Sequence, residues 1–547
     1  MAEQTLLTDH FNESSNDIQF KLPPLEIETE KVLSSSALVK INRFVIKGNT
    51  VFSDNDLDFI ISPYEKRRIT SQELHDLKNK ITSFYYSNGY VNSGAIIPDQ
   101  KIDDGNIKIV IIEGTLPEIF ITGNTWLKSH YISRRIELAT GDGKTPLNIH
   151  MVQDRLKMLK QDPRIENISA NVLPSLHQGK AKLDVNIVES RPYYLGIEIS
   201  NGNSPSVGAY RSDIIIEHLN LTGYGDSINL QYGITEGLDT YSARYQVPVN
   251  RNDTMFSLEA DRSKSLVITN QFEKFDIKGD TTTMGIGVKH PFYKSVSSEF
   301  LMGLKFEHRK SNTYMLDRNM SFAKGTDNGE SKVSAARFSQ EWVQRSLNQV
   351  IAVHSTISFG LDILDATKIE TTDPNDISTM PSSTFAAWLG QFQWIRRIGK
   401  TQLITRLDMR ISDTPLLSIE KFSIGGSSTV RGYRENFMTT DNGLVASIEL
   451  RIPAAHWNIP ALTKNQNQGM LYLAPFFDFG SGGNTKSLDP DIQSISSLGL
   501  GARWSINDHL HAEIYWGYAL RDVSRKGTEY DLQDDGLHFK ISANVFE

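Results

Sequence analysis

The chain has 547 residues and a net charge of −8, from 57 Lys plus Arg against 65 Asp plus Glu. That length exceeds what one hydrophobic core usually supports unless it closes into a large barrel, so two or more domains are expected. Mild acidity argues against a general nucleic-acid binder, and the absence of cysteine excludes disulfides, thiolate catalysis and cysteine-ligated metals.

Residues 1–40 are polar and begin MAEQTLLTDHFNESSND, with neither the basic nor the apolar stretch of a secretory signal. The chain is therefore either cytoplasmic or one whose signal has been removed. Leu6, Leu7 and Phe11 could line one face of a short helix ahead of the Pro23–Pro24 break; a disordered leader fits equally well.

A duplicated unit follows. INRFVIKGNTVF begins at Ile41 and PEIFITGNTWL at Pro117, and the two copies close on IKIVIIEG, ending at Gly114, and LDVNIVES, ending at Ser190. The nearly constant offset, about 75 residues, marks two copies of one module, over 41–115 and 116–190. Each copy reads β-α-α-β-β. In the first, Thr70-Ser-Gln-Glu73 is a capping box, Leu74, Leu77, Ile81 and Phe84 form an apolar helical face, and Gly89 stops the helix. In the second, Asn148 caps a helix carrying Val152, Leu156 and Leu159. Strand-like runs at 165–173 and 181–188 follow it, separated by PSLHQG.

After Pro192 the helical period disappears and a period of two replaces it over 191–547. TQLITRLDMRIS places Leu403, Leu407, Met409 and Ile411 opposite Gln402, Arg406, Asp408 and Arg410. LHAEIYWGYAL and LHFKISANVF alternate in the same way. An apolar face opposite charged residues suits a lipid-facing wall around a wet lumen, or a soluble sandwich read inside out. Strand number and length favour the first: about sixteen candidate strands of roughly 10–12 residues, suited to tilted membrane strands. The connections alternate too, tight at 506–509 and long and polar at 481–494 and 522–536.

Catalytic signatures fail. Gly425-Gly-Ser427-Ser-Thr429 lacks the last glycine of a nucleophile elbow, and Gly285-Ile-Gly287 and Gly499-Leu-Gly501 lack the third glycine of a dinucleotide fingerprint. His509 and His511 share a strand face without a third ligand, and the Asp489–Asp491 and Asp534–Asp535 clusters lack calcium-loop spacing. No catalytic constellation, metal site or cofactor is expected. The loop over 412–443 stands apart. It is longer than most structureless connections, follows the eleventh strand on the long-loop side, and carries GGSST and then Val430, Arg431, Gly432 and Tyr433.

Two 75-residue modules, a sixteen-strand barrel and VRGY resemble the outer-membrane exporters of two-partner secretion, within the superfamily of polypeptide-transporting barrels. A second family motif, F-x-D-x-G in the thirteenth strand, matches Phe476, Asp478 and Gly480. The resemblance, over about 40–546, implies two α+β POTRA domains followed by a 16-stranded antiparallel transmembrane β-barrel. It places the barrel in the bacterial outer membrane and the POTRA domains in the periplasm, the signal having been removed. It implies that the loop folds into the barrel and that Arg431 forms a salt bridge with Asp478. GGSST then reads as a flexible reach inward, and a partly wet lumen keeps the loss of one partner below the roughly 3–5 kcal/mol of fully buried pairs.

The implied function is export of a large unfolded secreted passenger, bound by the POTRA domains through strand addition and moved without nucleotide hydrolysis. Membrane lipid and, during insertion, the barrel-assembly machinery are the other partners; the chain is expected to be a monomer, with residues 5–15 as a plug helix or none. The competing readings are a barrel-assembly factor, a passive porin or receptor barrel, and an enzyme carried on a barrel. The passenger's class, whether adhesin, haemolysin or contact-dependent toxin, stays open. One departure concerns the terminus: such barrels usually end in an aromatic residue on the lipid-facing parity, whereas Phe546 is out of phase and Glu547 follows it.

Overall fold

The structure, a computed structural model, describes residues 18–22, 38–368, 379–460, 462–463, 468–486, 488–523 and 530–545. The plug helix expected over 5–15, the Pro23–Pro24 break and the Phe546–Glu547 terminus lie outside them. The chain forms two compact units. One takes the described residues up to Arg191 together with Thr222–Gly225, and the other takes Pro192–Leu221 and the chain from Asp226.

The first unit contains two modules, each with its own core. In the first, helices Asp54–Ile61 and Ser71–Ser87 cover a sheet ordered Arg43–Lys47, Asn106–Ile112, Gly94–Ile96. Thr70 and Glu73 close the capping box, and Leu77, Ile81 and Tyr85 are buried on the inner face of the longer helix. Burial raises the Tyr85 phenol pKa above its ordinary value, and the neighbouring Glu113 carboxylate adds to the effect. In the second module, helices Ser129–Thr140 and Ile149–Lys160 cover strands Thr115–Thr122, Lys180–Glu189 and Ile165–Pro174. Asn148 accepts a bond from the His150 N–H, and Val152, Leu156 and Leu159 are buried. A fourth strand, Gln19–Lys21, lies outside Ile165–Pro174 and parallel to it. Nothing in the polar leader announces it, because three residues are too few for a period.

The repeated GNT triplets have one job in both copies. Gly48 and Gly123 adopt φ values of 86° and 81°, and a Cβ there would stand 2.3 Å and 2.2 Å from the Ile111 and Ile187 carbonyl oxygens. Positive φ and backbone contact together admit only glycine. The turn that follows presents its N–H groups to one glutamate. Glu113 accepts from Thr50 and Val51, and Glu189 accepts from Thr125, Trp126 and Leu127. These glutamates are the penultimate residues of the two closing segments IKIVIIEG and LDVNIVES.

The second unit is a closed antiparallel barrel of sixteen strands running from Tyr193–Ser200 to Leu537–Asn544. A two-residue strand, Arg318–Asn319, only extends the hairpin after the seventh. Strands run from 8 residues, as in Tyr193–Ser200, to 18 in Ser298–Met315. The longest exceed the expected 10–12 because the hairpin ladders of the sixth to eighth strands continue past the length that a membrane needs. Side-chain parity settles which face meets lipid. Ile286, Leu304, Ile448, Leu450, Leu500, Ile514 and Trp516 are exposed on the outside, while Asp213, Glu307, Asp408, Glu449, Asp478 and His538 are buried inside. A soluble sandwich would invert this. Connections at one rim are short, as at 295–297, 346–348, 399–400 and 506–509, and those at the other include 413–441 and 520–536. Phe292, Tyr293, Trp342, Trp394 and Trp504 cluster toward the short-turn rim, where an interfacial aromatic girdle belongs.

Substituting Gly123→Ala is expected to destabilise the second module by roughly 1–3 kcal/mol. The readout is faster hydrogen exchange in Ile165–Pro174 and Lys180–Glu189, with the first module unchanged.

Candidate functional site

The eleventh barrel strand, Thr401–Ser412, and the twelfth, Asn442–His456, are joined by the long loop. It is not a slack tether. Phe422–Ile424 pairs with Met438–Thr440 as a small hairpin, and Ser418–Glu420 forms one 3₁₀ turn. GGSST sits at the hairpin's tip: Gly425 and Gly426 take positive φ, and the Ser427 N–H donates to Glu435 at 2.6 Å. The glycines serve a tight turn rather than a flexible reach, because a side chain at Gly426 would overlap the Glu435 carboxylate.

Arg431 is 7 % exposed and Asp478 is 0 % exposed. Nε and Nη2 of Arg431 donate to the two Asp478 oxygens at 2.8 and 2.9 Å, and the Arg431 backbone N–H adds a third bond at 3.0 Å. The fork-on-fork geometry needs a planar guanidinium; a lysine would make one such bond. Ser447 donates to Asp478 at 2.7 Å, and Nη1 of Arg431 reaches Glu449 at 2.5 Å. Phe476 lies under the guanidinium, its ring centroid 3.6 Å from Cζ, and Tyr515 lies 4.7 Å away on the same cation. In the F-x-D-x-G motif, then, the aromatic residue and the carboxylate both bind Arg431. Gly480 supplies space: a Cβ there would meet Ile424 at 2.5 Å and Val430 at 2.8 Å. Asp478 is wholly enclosed while Arg431 also borders a cavity, so the loss of one partner is expected to cost up to the roughly 3–5 kcal/mol of fully buried pairs.

The rest of VRGY locks the tip. Val430 and Tyr433 join a buried cluster with Ile424, Met438, Val445 and Ile495. The Tyr433 hydroxyl donates to the Ser496 carbonyl at 2.9 Å and accepts the Arg521 N–H at 3.2 Å. Gly432 has φ 92° and lies against the backbone of Gly517, leaving no room for a Cβ on either residue. Its N–H donates to Nε2 of His538 at 3.3 Å.

Several partners carry no motif. Ser447, Glu449, Tyr515 and His538 hold Arg431 or its neighbour, and their only sequence signal is inward parity. Ladder pairing sets Ser447 opposite Asp478 and Glu449 opposite Phe476. A second anchor was equally silent. Glu420, 4 % exposed, enters a cage of three arginines from the seventh, eighth and eleventh strands. Arg337 donates to both its oxygens at 2.8 and 3.1 Å, and Arg309 and Arg410 stand 3.5 and 3.7 Å away. The loop thus presents a cation to acidic strands at its tip and an anion to basic strands at its root. A polar cavity of about 600 Å³, lined by Arg211, Arg406, Arg431, Glu449, Arg503 and His538 among others, adjoins the tip.

A closed outer-membrane-type barrel, tandem N-terminal modules and a long loop pinned inside by an arginine–aspartate pair fit the class that the sequence resembles, the polypeptide-transporting barrels. The chain belongs to the family described as haemolysin secretion/activation protein ShlB/FhaC/HecB, matched over residues 179–504, and residues 39–114 match the ShlB-type POTRA domain. It is 21 % identical to the heme/hemopexin transporter protein HuxB of Haemophilus influenzae over 473 residues, covering 84 % of this chain and 80 % of that one. It is 20 % identical to the outer membrane transporter CdiB of Dickeya dadantii, over 76 % and 72 % of the two chains. In fold it is similar to CdiB from Escherichia coli, with a TM-score of 0.70 at 18 % identity over 99 % of this chain and 97 % of that one. It is also similar to CdiB from Acinetobacter baumannii, with a TM-score of 0.62 at 17 % identity over 99 % and 96 %. The chain is accordingly an outer-membrane protein-secretion transporter with periplasmic POTRA domains.

Two outcomes test the two anchors. In a double-mutant cycle, Arg431→Ala and Asp478→Ala are expected to be non-additive by 0.5–3 kcal/mol, measured from the temperature at which the barrel loses its compact migration in detergent gels. Glu420→Gln, which keeps shape but removes charge, is expected to speed proteolytic cleavage of the loop while leaving that cycle unchanged.

Proposed function

We propose that this transporter exports one large partner protein, received unfolded in the periplasm by the POTRA domains and passed through the barrel lumen without nucleotide hydrolysis. The observation that carries the proposal is the loop hairpin held inside the closed barrel by Arg431 and Asp478. A pore that only admits solutes would not need the duplicated N-terminal modules that accompany this loop. A translocase has a use for the loop too, because the hairpin can occupy the path until a chain arrives and can then re-form its pairs behind it.

In this reading Arg431 and Asp478 form the principal latch, and Phe476 stacks on the guanidinium and holds its plane. Val430 and Tyr433 seat the tip, and Gly432 and Gly480 allow the close approach. The POTRA domains take the passenger by strand addition, which main-chain hydrogen bonds make tolerant of sequence. The barrel-assembly reading is not favoured, because the family match is to secretion and activation proteins.

The test is co-expression with candidate passengers encoded near the transporter, scoring release into the medium. Arg431→Ala is expected to reduce release at least tenfold while the barrel still inserts and folds, and Arg431→Lys is expected to fail as well. Release at the wild-type level from a folded Arg431→Ala barrel would refute the latch.

A further inference from the structure

The last barrel loop ends in a 3₁₀ turn, Leu532–Asp535, set between the latch hairpin and the strands that close the barrel. Asp531 caps the turn by accepting the Gln533 N–H at 2.9 Å, and Gly536 leaves it with φ 71°. A Cβ at Gly536 would overlap the Gly517 carbonyl oxygen and stand 3.2 Å from the Cα of Gly432. Hairpin tip, turn and fifteenth strand therefore meet where no side chain fits.

Gln533 is 1 % exposed, and both ends of its amide are used. Its Oε1 accepts the Glu435 N–H of the hairpin at 2.9 Å, and its Nε2 donates to the Asn201 and Asn203 carbonyls at 2.6 and 2.7 Å. Beside it, Arg434 of the hairpin donates to both Asp534 oxygens at 2.6 Å.

Asn201 carries this contact into the wall. It directly follows the first strand, whose ladder with the last strand stops at the pair Ser200–Lys540. Buried Asn201 lengthens that ladder. Its N–H donates to the Phe539 carbonyl at 3.3 Å, its Oδ1 accepts the Phe539 N–H at 2.7 Å, and its Nδ2 donates to the Leu537 carbonyl at 2.8 Å. One asparagine thus satisfies backbone groups that a longer partner strand would otherwise take. Its own carbonyl is the one that Gln533 holds.

We propose that Gln533 is a positioning residue through which the latch hairpin holds the long-loop end of the barrel seam closed, so that withdrawing the hairpin loosens the seam there. This rests on the latch reading above. A departing tip breaks the Glu435–Gln533 bond and the Arg434–Asp534 pair, which leaves a buried amide half satisfied and the turn free to shift with Asn201. The five main-chain pairs below Asn201 stay in place, so the loosening is confined to one end of the seam.

The seam is read by hydrogen exchange of the full-length protein in detergent, in fragments covering 199–204 and 537–541, with the fifth strand, Met255–Leu266, as internal reference. Arg431→Ala, which unlatches the tip without touching the turn, is expected to speed exchange at least tenfold in both seam fragments and not in the reference. Gln533→Leu, which fills the same space without an amide, is expected to do the same, and the two substitutions together are expected to be no faster than either alone. Glu420→Gln, at the loop's root, is expected to leave the seam unchanged. A rescue makes the test independent of Arg431. The chain has no cysteine, and a Cβ at Gly202 would stand 3.2 Å from the Ser427 Oγ, so Gly202→Cys with Ser427→Cys can tie the tip to the first loop directly. In the Gln533→Leu protein, oxidising that pair is expected to restore slow exchange and reducing it to abolish the rescue. Seam exchange that ignores Arg431→Ala, an additive double variant, or a cross-link that fails to rescue would each overturn the coupling. The export reading would survive any of them, since passenger release tests it separately.

Discussion

In hydrocarbon a strand cannot leave its amides and carbonyls unpaired, and the whole second unit follows from that constraint. The sheet has to return on itself, so Tyr193–Ser200 must find Leu537–Asn544 across more than three hundred residues of chain. The seam they form has five residue pairs, against eight between the first two strands. Side chains supplement it: the Tyr194 hydroxyl bonds Asn544, and Lys540 pairs with Glu198 at 3.1 Å. Closure also fixes the meaning of parity. Once every second residue faces lipid, Asp213, Glu307, Asp408, Glu449 and Asp478 all face inward, and the interior becomes a place where charges must satisfy one another.

That interior solves the problem with the loop. Glu307 alone would leave Arg309, Arg337 and Arg410 under-compensated, and Glu420 brings a second carboxylate to them. On the other side, Asp478 and Glu449 gather on neighbouring strands, and Arg431 brings a cation. Desolvating an ion costs several kcal/mol, which its partner recovers only with good geometry and further hydrogen bonds. Asp478 has both: two guanidinium bonds, a backbone N–H and the Ser447 hydroxyl. Loop and wall are thus each other's counterions, and neither charge set is well placed without the other.

Much of this was legible in the chain, for physical reasons that differ by element. The modules announced themselves because a duplicated β-α-α-β-β unit repeats its turns, and GNT cannot vary where a carbonyl fills the space of a Cβ. Barrel strands were legible from their period of two, and Arg431 with Asp478 because two short motifs resemble those of a known family. What stayed hidden is whatever long-range pairing creates. Glu449 and Ser447 look like any inward residues until the register sets them beside Phe476 and Asp478. Glu420 has no motif, and its cage is assembled from three strands. The mechanics of GGSST are hidden as well, since glycine-rich composition marks slack and tight turns alike and only the φ values and the Glu435 contact separate them.

The choice of ions over apolar packing for the anchors bears on how the loop could let go. An apolar plug leaves the lumen at a cost that water raises, since its surface is then solvated. A buried ion pair behaves in the opposite sense: its attraction is strong while the site is dry and falls several-fold as the local dielectric rises. A chain threading past the hairpin would bring water and backbone carbonyls with it, and each would offer Arg431 and Asp478 an alternative partner. In the proposed mechanism the arriving passenger therefore weakens the latch by wetting it, and drying of the site restores it afterwards. On that proposal, release and re-closure would come from the same pair of residues, and no chemical energy source would have to be coupled to the loop.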